Sequence, residues 1–131
     1  MGKTDYLENE LLKWCTGQAN ALDDGLITPY IGLFTVAPTD AGGGTEVTGG
    51  SYARQSGAGK FGVPASGSVT NSSSITFPTA TANWGTVVAY GLFTAVSAGT
   101  LLRWKALTTS TPVNTGFTLS IAATKLTLTE E

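Results

Sequence analysis

The sequence contains no histidine and one cysteine, Cys15, in 131 residues. The chain therefore lacks the commonest general base and the commonest ligand of zinc-like metals. A lone cysteine excludes an intrachain disulfide, and its place among apolar residues of a predicted helix favours a buried, inert thiol over a nucleophile. These absences argue against an enzyme, and we expect neither a cofactor nor a bound metal.

Charge and long apolar runs are also scarce. Only 12% of the residues are charged, the net charge is −2 and no basic run occurs, so the long-range attraction that drives nucleic-acid binding is missing. No apolar stretch approaches the roughly 18 residues of a membrane span, so we expect no membrane partner. The N-terminus carries early acidic residues and no continuous apolar core, which does not fit a signal peptide.

Polarity comes instead from 22 threonines, 10 serines and 17 glycines. Threonine favours strands and glycine supplies turns, so this composition predicts an all-β protein rather than a disordered chain. Three Trp, four Tyr and five Phe provide bulk for a core. The length fits a single domain over residues 1–131.

One amphipathic helix is predicted at about residues 5–16. Thr4 can cap its N-terminus, Asp5 and Glu8 suit the positive end of the helix dipole, and Gly17 can end it. So short a helix must dock to be stable, either on its own domain or on a neighbouring subunit. The predicted apolar face consists of Leu7, Leu11, Trp14 and Cys15 with Leu12 at its edge, and the remaining surface carries Glu8, Glu10 and Lys13.

A β body is predicted at about residues 29–129, organised around the strand that begins at Tyr30. The motif Gly-Leu-Phe-Thr occurs at 32–35 and again at 91–94, each time shortly after a tyrosine. This repeat suggests that the β body has two related halves. The first strand is apolar on both faces and is expected to be central. The second copy lies in the longest strand candidate, 84–94. Further strand signals occur at 51–55, 74–77, 100–107, 116–121 and 125–129.

Strand signals at intervals of roughly 8–15 residues predict an antiparallel β-sandwich or a jelly-roll-like barrel. The exception is the segment of about 56–71, where five glycines and prolines break any periodicity. We expect a glycine-rich loop or extended arm there, with a short strand around Phe61.

Candidate chemistry is sparse. Gly59-Lys60 resembles the end of a phosphate-binding loop, but Arg54 stands at the required first glycine and Phe61 replaces the Ser/Thr that holds magnesium. Asp23 and Asp24 are adjacent and fit a solvated turn.

Two further alternatives stay open. Asp40 and Glu46 flank a triple glycine and could share a cation, and Arg54, Arg103 and Lys105 with Tyr52 and Trp104 could form a stacking platform for single strands or sugars.

Several segments together resemble a known family. They are YIGLFTVAPTDAGGGTEVTGGSYARQ, ITFPTATANWGTVVAYGLFTA, LLRWKALTT and VNTGFTLSIAATKLTLT. These motifs, in this order from about Pro29 to Thr129, resemble those of small virion structural proteins of tailed bacteriophages. Such proteins are described as tail-fibre-like or as capsid decoration and cement proteins.

The resemblance implies a non-enzymatic virion component made in the host cytoplasm. Our leading hypothesis is a capsid decoration or cement protein that binds the major capsid protein and forms a homo-oligomer. The oligomer that we expect is a trimer. The alternatives are a tail-fibre or baseplate component that binds tail proteins, and a glycan-binding module that uses Trp84 or Trp104. The predicted protein-interface residues are Leu7, Leu11, Trp14, Arg54, Lys60, Phe61, Arg103 and Lys105.

Overall fold

A computed structural model describes residues 3–21 and 27–129. Within these residues the chain forms one helix and nine strands: α1 (Asp5–Cys15), β1 (Tyr30–Val36), β2 (Thr45–Glu46), β3 (Gln55–Ser56), β4 (Ser68–Thr70), β5 (Ile75–Thr76), β6 (Gly85–Phe93), β7 (Leu101–Val113), β8 (Ser120–Ile121) and β9 (Thr127–Thr129). The turn predicted at Asp23-Asp24-Gly25 lies outside the described residues. Across 3–21 and 27–129, no helix is long and apolar enough to cross a membrane.

The predicted fold class is confirmed. The protein is built mostly of strands in antiparallel sheets and has one short N-terminal helix, an arrangement consistent with a β-sandwich. No sheet formed by the described residues closes on itself, so the jelly-roll-like barrel is not supported. The chain divides into two compact units: unit 1 comprises Met1–Pro29, Gly57–Ile75 and Ile121–Glu131, and unit 2 comprises Tyr30–Ser56 and Thr76–Ser120. The single domain over 1–131 stays a prediction.

In unit 1, α1 begins and ends as the sequence predicts. Thr4 has extended backbone angles (φ −84°, ψ 158°), and its Oγ1 accepts a hydrogen bond of 3.4 Å from the Leu7 N–H. Gly17 follows the C-cap with φ +76°, a conformation that glycine adopts without strain. The helix docks on its own unit, because it contacts β4 and the Asn9 Oδ1 accepts the Gly67 N–H at 3.0 Å.

The buried side of α1 differs from the predicted apolar face. Leu12 and Cys15 are buried, as is Glu10, which we expected at the surface, whereas Leu7, Leu11 and Trp14 are half-buried. The Glu10 carboxylate tolerates burial because it accepts hydrogen bonds from Lys13 Nζ at 2.8 Å and from the Ala21 N–H at 2.6 Å. The bond from Lys13, followed by that from Ala21, holds the pKa of Glu10 below its ordinary value.

The glycine-rich segment 56–71 contains regular structure, since β4 pairs antiparallel with β9 and Val69 lies opposite Leu128. Asn71 is fully buried and acts as the polar centre of unit 1. Its Nδ2 donates to the carbonyls of Ser73 and Ala122, and its Oδ1 accepts from the Leu126 N–H, each at 2.9 Å. One side chain therefore connects three backbone segments, a role that periodicity alone does not reveal.

Unit 2 contains a sheet of order β2-β1-β6-β7, with β3 also paired to β1. As predicted, β1 is an interior strand. The two Gly-Leu-Phe-Thr copies are neighbours in this sheet, with Gly32 directly opposite Gly91. The repeat therefore marks two adjacent strands of one unit rather than two halves. A separate two-stranded sheet is formed by β5 and β8.

The phenylalanines of the two copies meet across the glycine pair. The Phe34 and Phe93 rings are stacked, with centroids 5.8 Å apart and planes inclined by 19°. A Cβ on Gly32 would lie 2.7 Å from Phe93 Cε2, and a Cβ on Gly91 would lie 2.8 Å from Phe34 Cε2. Each glycine thus leaves room for the phenylalanine of the other copy.

The longest strand is β7, with 13 residues, not the segment 84–94. Val87 of β6 pairs with Thr111, but Ala89, two residues on, pairs with Ala106. Four residues of β7, 107–110, therefore form a bulge without a ladder partner on β6. Because the strand resumes after this bulge, it extends well beyond the predicted end at Leu107.

Candidate interaction surfaces

The predicted interface residues occupy different environments. In unit 1, Leu7, Leu11 and Trp14 are half-buried on α1, Lys60 is half-buried and Phe61 is buried. In unit 2, Arg103 is half-buried and Lys105 is exposed, two residues apart on the same face of β7. Arg54 lies mostly inside unit 2. These residues stay predictions as interface residues. The structure places Leu7, Leu11 and Trp14 together on α1, and Arg103 and Lys105 together on β7.

Arg54 forms the most extensive polar network in the described part of unit 2. Its Nε and Nη2 donate to the two carboxylate oxygens of Glu46 at 2.8 and 2.7 Å, a bidentate ion pair. The Tyr52 hydroxyl donates to Glu46 Oε2 at 2.6 Å and accepts the Leu33 N–H at 2.9 Å. All three residues are half-buried, and we call Glu46, Tyr52 and Arg54 the half-buried triad.

The remaining donors of Arg54 hold a turn in place. Its Nη1 donates to the carbonyls of Ala95 and Ala98, both at 2.8 Å, and its Cζ lies 3.5 Å from the centre of the Phe93 ring. Ala98 has φ +54°, a conformation unusual for alanine. Arg54 thus binds β2, through Glu46, to the turn that follows β6. The stacking partner of Arg54 is Phe93 rather than Tyr52.

The half-buried triad was missed by sequence reasoning, which treated Arg54 as an interface residue and considered Glu46 as a cation ligand together with Asp40. Both Glu46 carboxylate oxygens already accept hydrogen bonds within unit 2. A signal for the triad was present in the sequence, because the motifs TEV and YARQ place an acid, a tyrosine and an arginine within nine residues. Their pairing depends on the turn at 47–51, which the sequence pattern did not resolve.

The pKa values of Glu46 and Tyr52 in the half-buried triad follow from this geometry. Burial alone would raise the pKa of the Glu46 carboxyl, but the hydrogen bonds from Arg54 and Tyr52 outweigh burial and hold it below its ordinary value of 4.5. Burial, followed by the bond to Glu46, raises the pKa of Tyr52 far above its ordinary value. Tyr52 therefore stays a neutral donor to an ionised carboxylate.

We predict that the contribution of Glu46 to stability disappears in acid. Because its pKa is lower in the folded chain, this contribution is fully present above about pH 4.5 and is lost as the pH falls through the folded-state pKa. Urea denaturation of the native chain and of the Glu46→Gln variant should give a stability difference at pH 7 that shrinks at pH values below 4.5. A difference that stays constant down to pH 3 would contradict the prediction.

A cleft of about 410 Å³ opens elsewhere in unit 2. It lies between the turn 39–42 and the start of β7, and it is lined by Thr39, Asp40, Gly42, Leu101, Leu102, Arg103 and Trp104. Trp84, the other tryptophan considered for glycan binding, is buried and donates its Nε1–H to the Gly50 carbonyl at 2.9 Å. Of these two tryptophans, Trp104 is therefore the better placed to contact a ligand.

Comparison with known proteins decides the family. A family described as "Podophage GP4 fiber I protein gp80" matches residues 2–129. The chain belongs to this family. No curated protein matches the chain.

Family membership confirms the predicted resemblance to phage virion structural proteins. This fiber-family chain is a structural component of a bacteriophage virion, and a fiber family favours a non-enzymatic role. The family does not confirm capsid decoration, and it fits the tail-fibre alternative better. The major capsid protein as partner and the trimer likewise stay unconfirmed.

Proposed function

We propose that the chain is a component of a virion fiber, in a tail fibre or at the baseplate, rather than the capsid cement of our leading sequence hypothesis. The observation that carries this proposal is the fiber-family match over residues 2–129. The fold is compatible with it, because the charged groups of the half-buried triad pair with one another and hold the strands and turns of unit 2 together. The partners would be other fiber or tail proteins and further copies of the chain.

The location of the protein in the virion tests this proposal. Purified virions would be labelled with a gold-conjugated antibody against the chain and imaged in negative stain. We expect gold at fibers or at the tail and not over the capsid faces. Label distributed across the capsid faces would support the decoration protein instead and overturn the proposal.

Self-association through α1 is the second part of the proposal. Leu7, Leu11 and Trp14 leave partly exposed apolar surface on one helix, and Tyr6 beside them is 66% exposed. Specific interfaces concentrate aromatic and apolar residues at their centres and bury more than about 1,000 Å² in total. A helix that is already docked within unit 1 can present such a surface without refolding.

We predict that Leu11→Asp and Trp14→Asp each shift the chain to a monomer, because a carboxylate in the centre of an apolar interface loses its hydration. Sedimentation velocity and incorporation into virions measure the effect. The matched control is Val63→Asp, which places the same charge on an 80% exposed apolar residue of unit 1 and should leave assembly unchanged. Normal assembly of both helix variants would show that α1 is not an interface.

A further inference from the structure

The cleft between the turn 39–42 and β7 has the properties of a preformed ligand site. Its volume of about 410 Å³ lies within the roughly 300–1,000 Å³ of typical small-ligand pockets. Its lining combines one aromatic ring and two leucines with an acid, a hydroxyl and a cation. Ligand sites generally pair such an apolar surface with a few polar groups that fix orientation.

Both walls of the cleft are held in place. On the first wall, the Thr39 N–H donates to the Gly42 carbonyl at 2.9 Å, and the Gly42 N–H donates back at 2.8 Å. Thr39 Oγ1 also donates to that carbonyl at 3.1 Å. This closed turn presents the exposed Asp40 at its tip.

On the second wall, Trp104 is half-buried in β7 opposite Gly91. It packs against the cluster of Phe34, Ala89 and Phe93, as does Leu101. Because these contacts restrict the indole, a ligand that stacks on it would lose little additional side-chain entropy from the protein.

We infer that this cleft binds a hexopyranose unit of a carbohydrate. The C–H face of a pyranose ring is apolar and carries slight positive charge, which suits the negative face of an indole. Its neighbouring hydroxyls are paired donors, which suit the two acceptor oxygens of the Asp40 carboxylate. Trp104 is thus assigned to stacking and Asp40 to recognition of two adjacent hydroxyls. The inference goes beyond the proposed fiber role and does not depend on it.

The test uses the full chain labelled with ¹⁵N at its three tryptophans. Methyl glycosides of mannose, galactose and glucose would be titrated separately to about 50 mM, which nearly saturates a site with a millimolar dissociation constant. We expect at least one glycoside to shift the Trp104 indole signal along a saturating curve. The signal of the buried Trp84 should stay in place.

Variants then assign the site. Asp40→Asn should weaken binding about tenfold, and Trp104→Ala should abolish it, with the glycoside's own resonances as the readout in the second case. Because Trp104→Ala can loosen the cluster beneath it, an unshifted Trp84 signal serves as the folding check. Phe117→Ala removes a 43% exposed aromatic outside the cleft and should bind normally.

The inference is overturned if none of the three glycosides shifts the Trp104 signal. It is also overturned if the same titration curve survives in Asp40→Asn and the glycoside still binds to Trp104→Ala. Neither result bears on the location of the protein in the virion, so failure of this site and failure of the fiber proposal are distinguishable.

Discussion

Arg54→Met should lower the free energy of unfolding by about 2 kcal/mol, because it removes one partner of a half-buried ion pair, which lies between exposed pairs of about 0–1 kcal/mol and buried pairs of about 3–5 kcal/mol. Only 8% of the Arg54 side chain is accessible, against 23% for Glu46. The substitution leaves the Glu46 carboxylate with Tyr52 as its remaining side-chain donor. It also removes Nη1, the donor to the backbone carbonyls of Ala95 and Ala98. Chemical denaturation followed by tryptophan fluorescence measures the loss.

Two controls separate the charge of Arg54 from its geometry. Arg54→Lys keeps the positive charge but cannot form the bidentate pair and reach both carbonyls, so most of the loss should remain. Combining Arg54→Met with Glu46→Gln should lower the free energy of unfolding by less than the sum of the single changes, because the double variant no longer contains a Glu46 carboxylate without its arginine partner. A loss below about 1 kcal/mol for Arg54→Met would mean that the half-buried triad contributes little to the stability of the fold.

Gly32→Ala should destabilise the chain by about 2 kcal/mol, within the range for overpacking a filled core. The new Cβ would lie 2.7 Å from Phe93 Cε2, 2.8 Å from Glu46 Oε2 and 3.1 Å from Tyr52 Oη. The neighbours cannot move independently, since Glu46 and Tyr52 are hydrogen-bonded to each other in the half-buried triad. One methyl group at this position therefore disturbs both the aromatic stack and the ion pair. Thermal unfolding compared with the native chain measures the effect.

Gly62→Ala is the matched control, because Gly62 does not have a positive φ and its added Cβ would meet only the Thr70 carbonyl oxygen, at 3.5 Å. It should change stability by less than about 0.5 kcal/mol. Gly91→Ala should also destabilise the chain, because its Cβ would lie 2.6 Å from Leu101 Cδ1 and 2.8 Å from Phe34 Cε2. Combining it with Phe34→Leu should recover the part of the loss that comes from the ring. Equal stability of the Gly32 and Gly62 variants would refute the close-packing argument.

Much of the fold is predictable from local signals. The cap at Thr4, the interior strand β1 and the all-β class each follow from residues that are neighbours in sequence. The helix face was predicted less well, since burial of Glu10 requires the distant Ala21 N–H as a partner. The bulge in β7 was missed because it depends on the register against β6, which alternation along one strand does not specify.

The candidate sites were also only partly predictable from the sequence. The sequence already placed Trp104 and Asp40 among residues with recognisable chemistry, but it could not show that they line one cleft. It named Arg54 as an interface residue and as a cation near Tyr52. Only the folded chain brings Glu46, Tyr52 and two carbonyls around that guanidinium. Local patterns thus identified residue types, while long-range pairing decided their roles.

The reciprocal seating of Phe34 and Phe93 across the glycine pair constrains how this protein can evolve. An enlarged residue at either glycine displaces the aromatic ring of the opposite strand, so a smaller residue in place of that ring relieves part of the clash. The two strands are therefore expected to accumulate substitutions jointly. Among relatives, we expect correlated changes between the first copy and the second, even though 59 residues separate them in the chain.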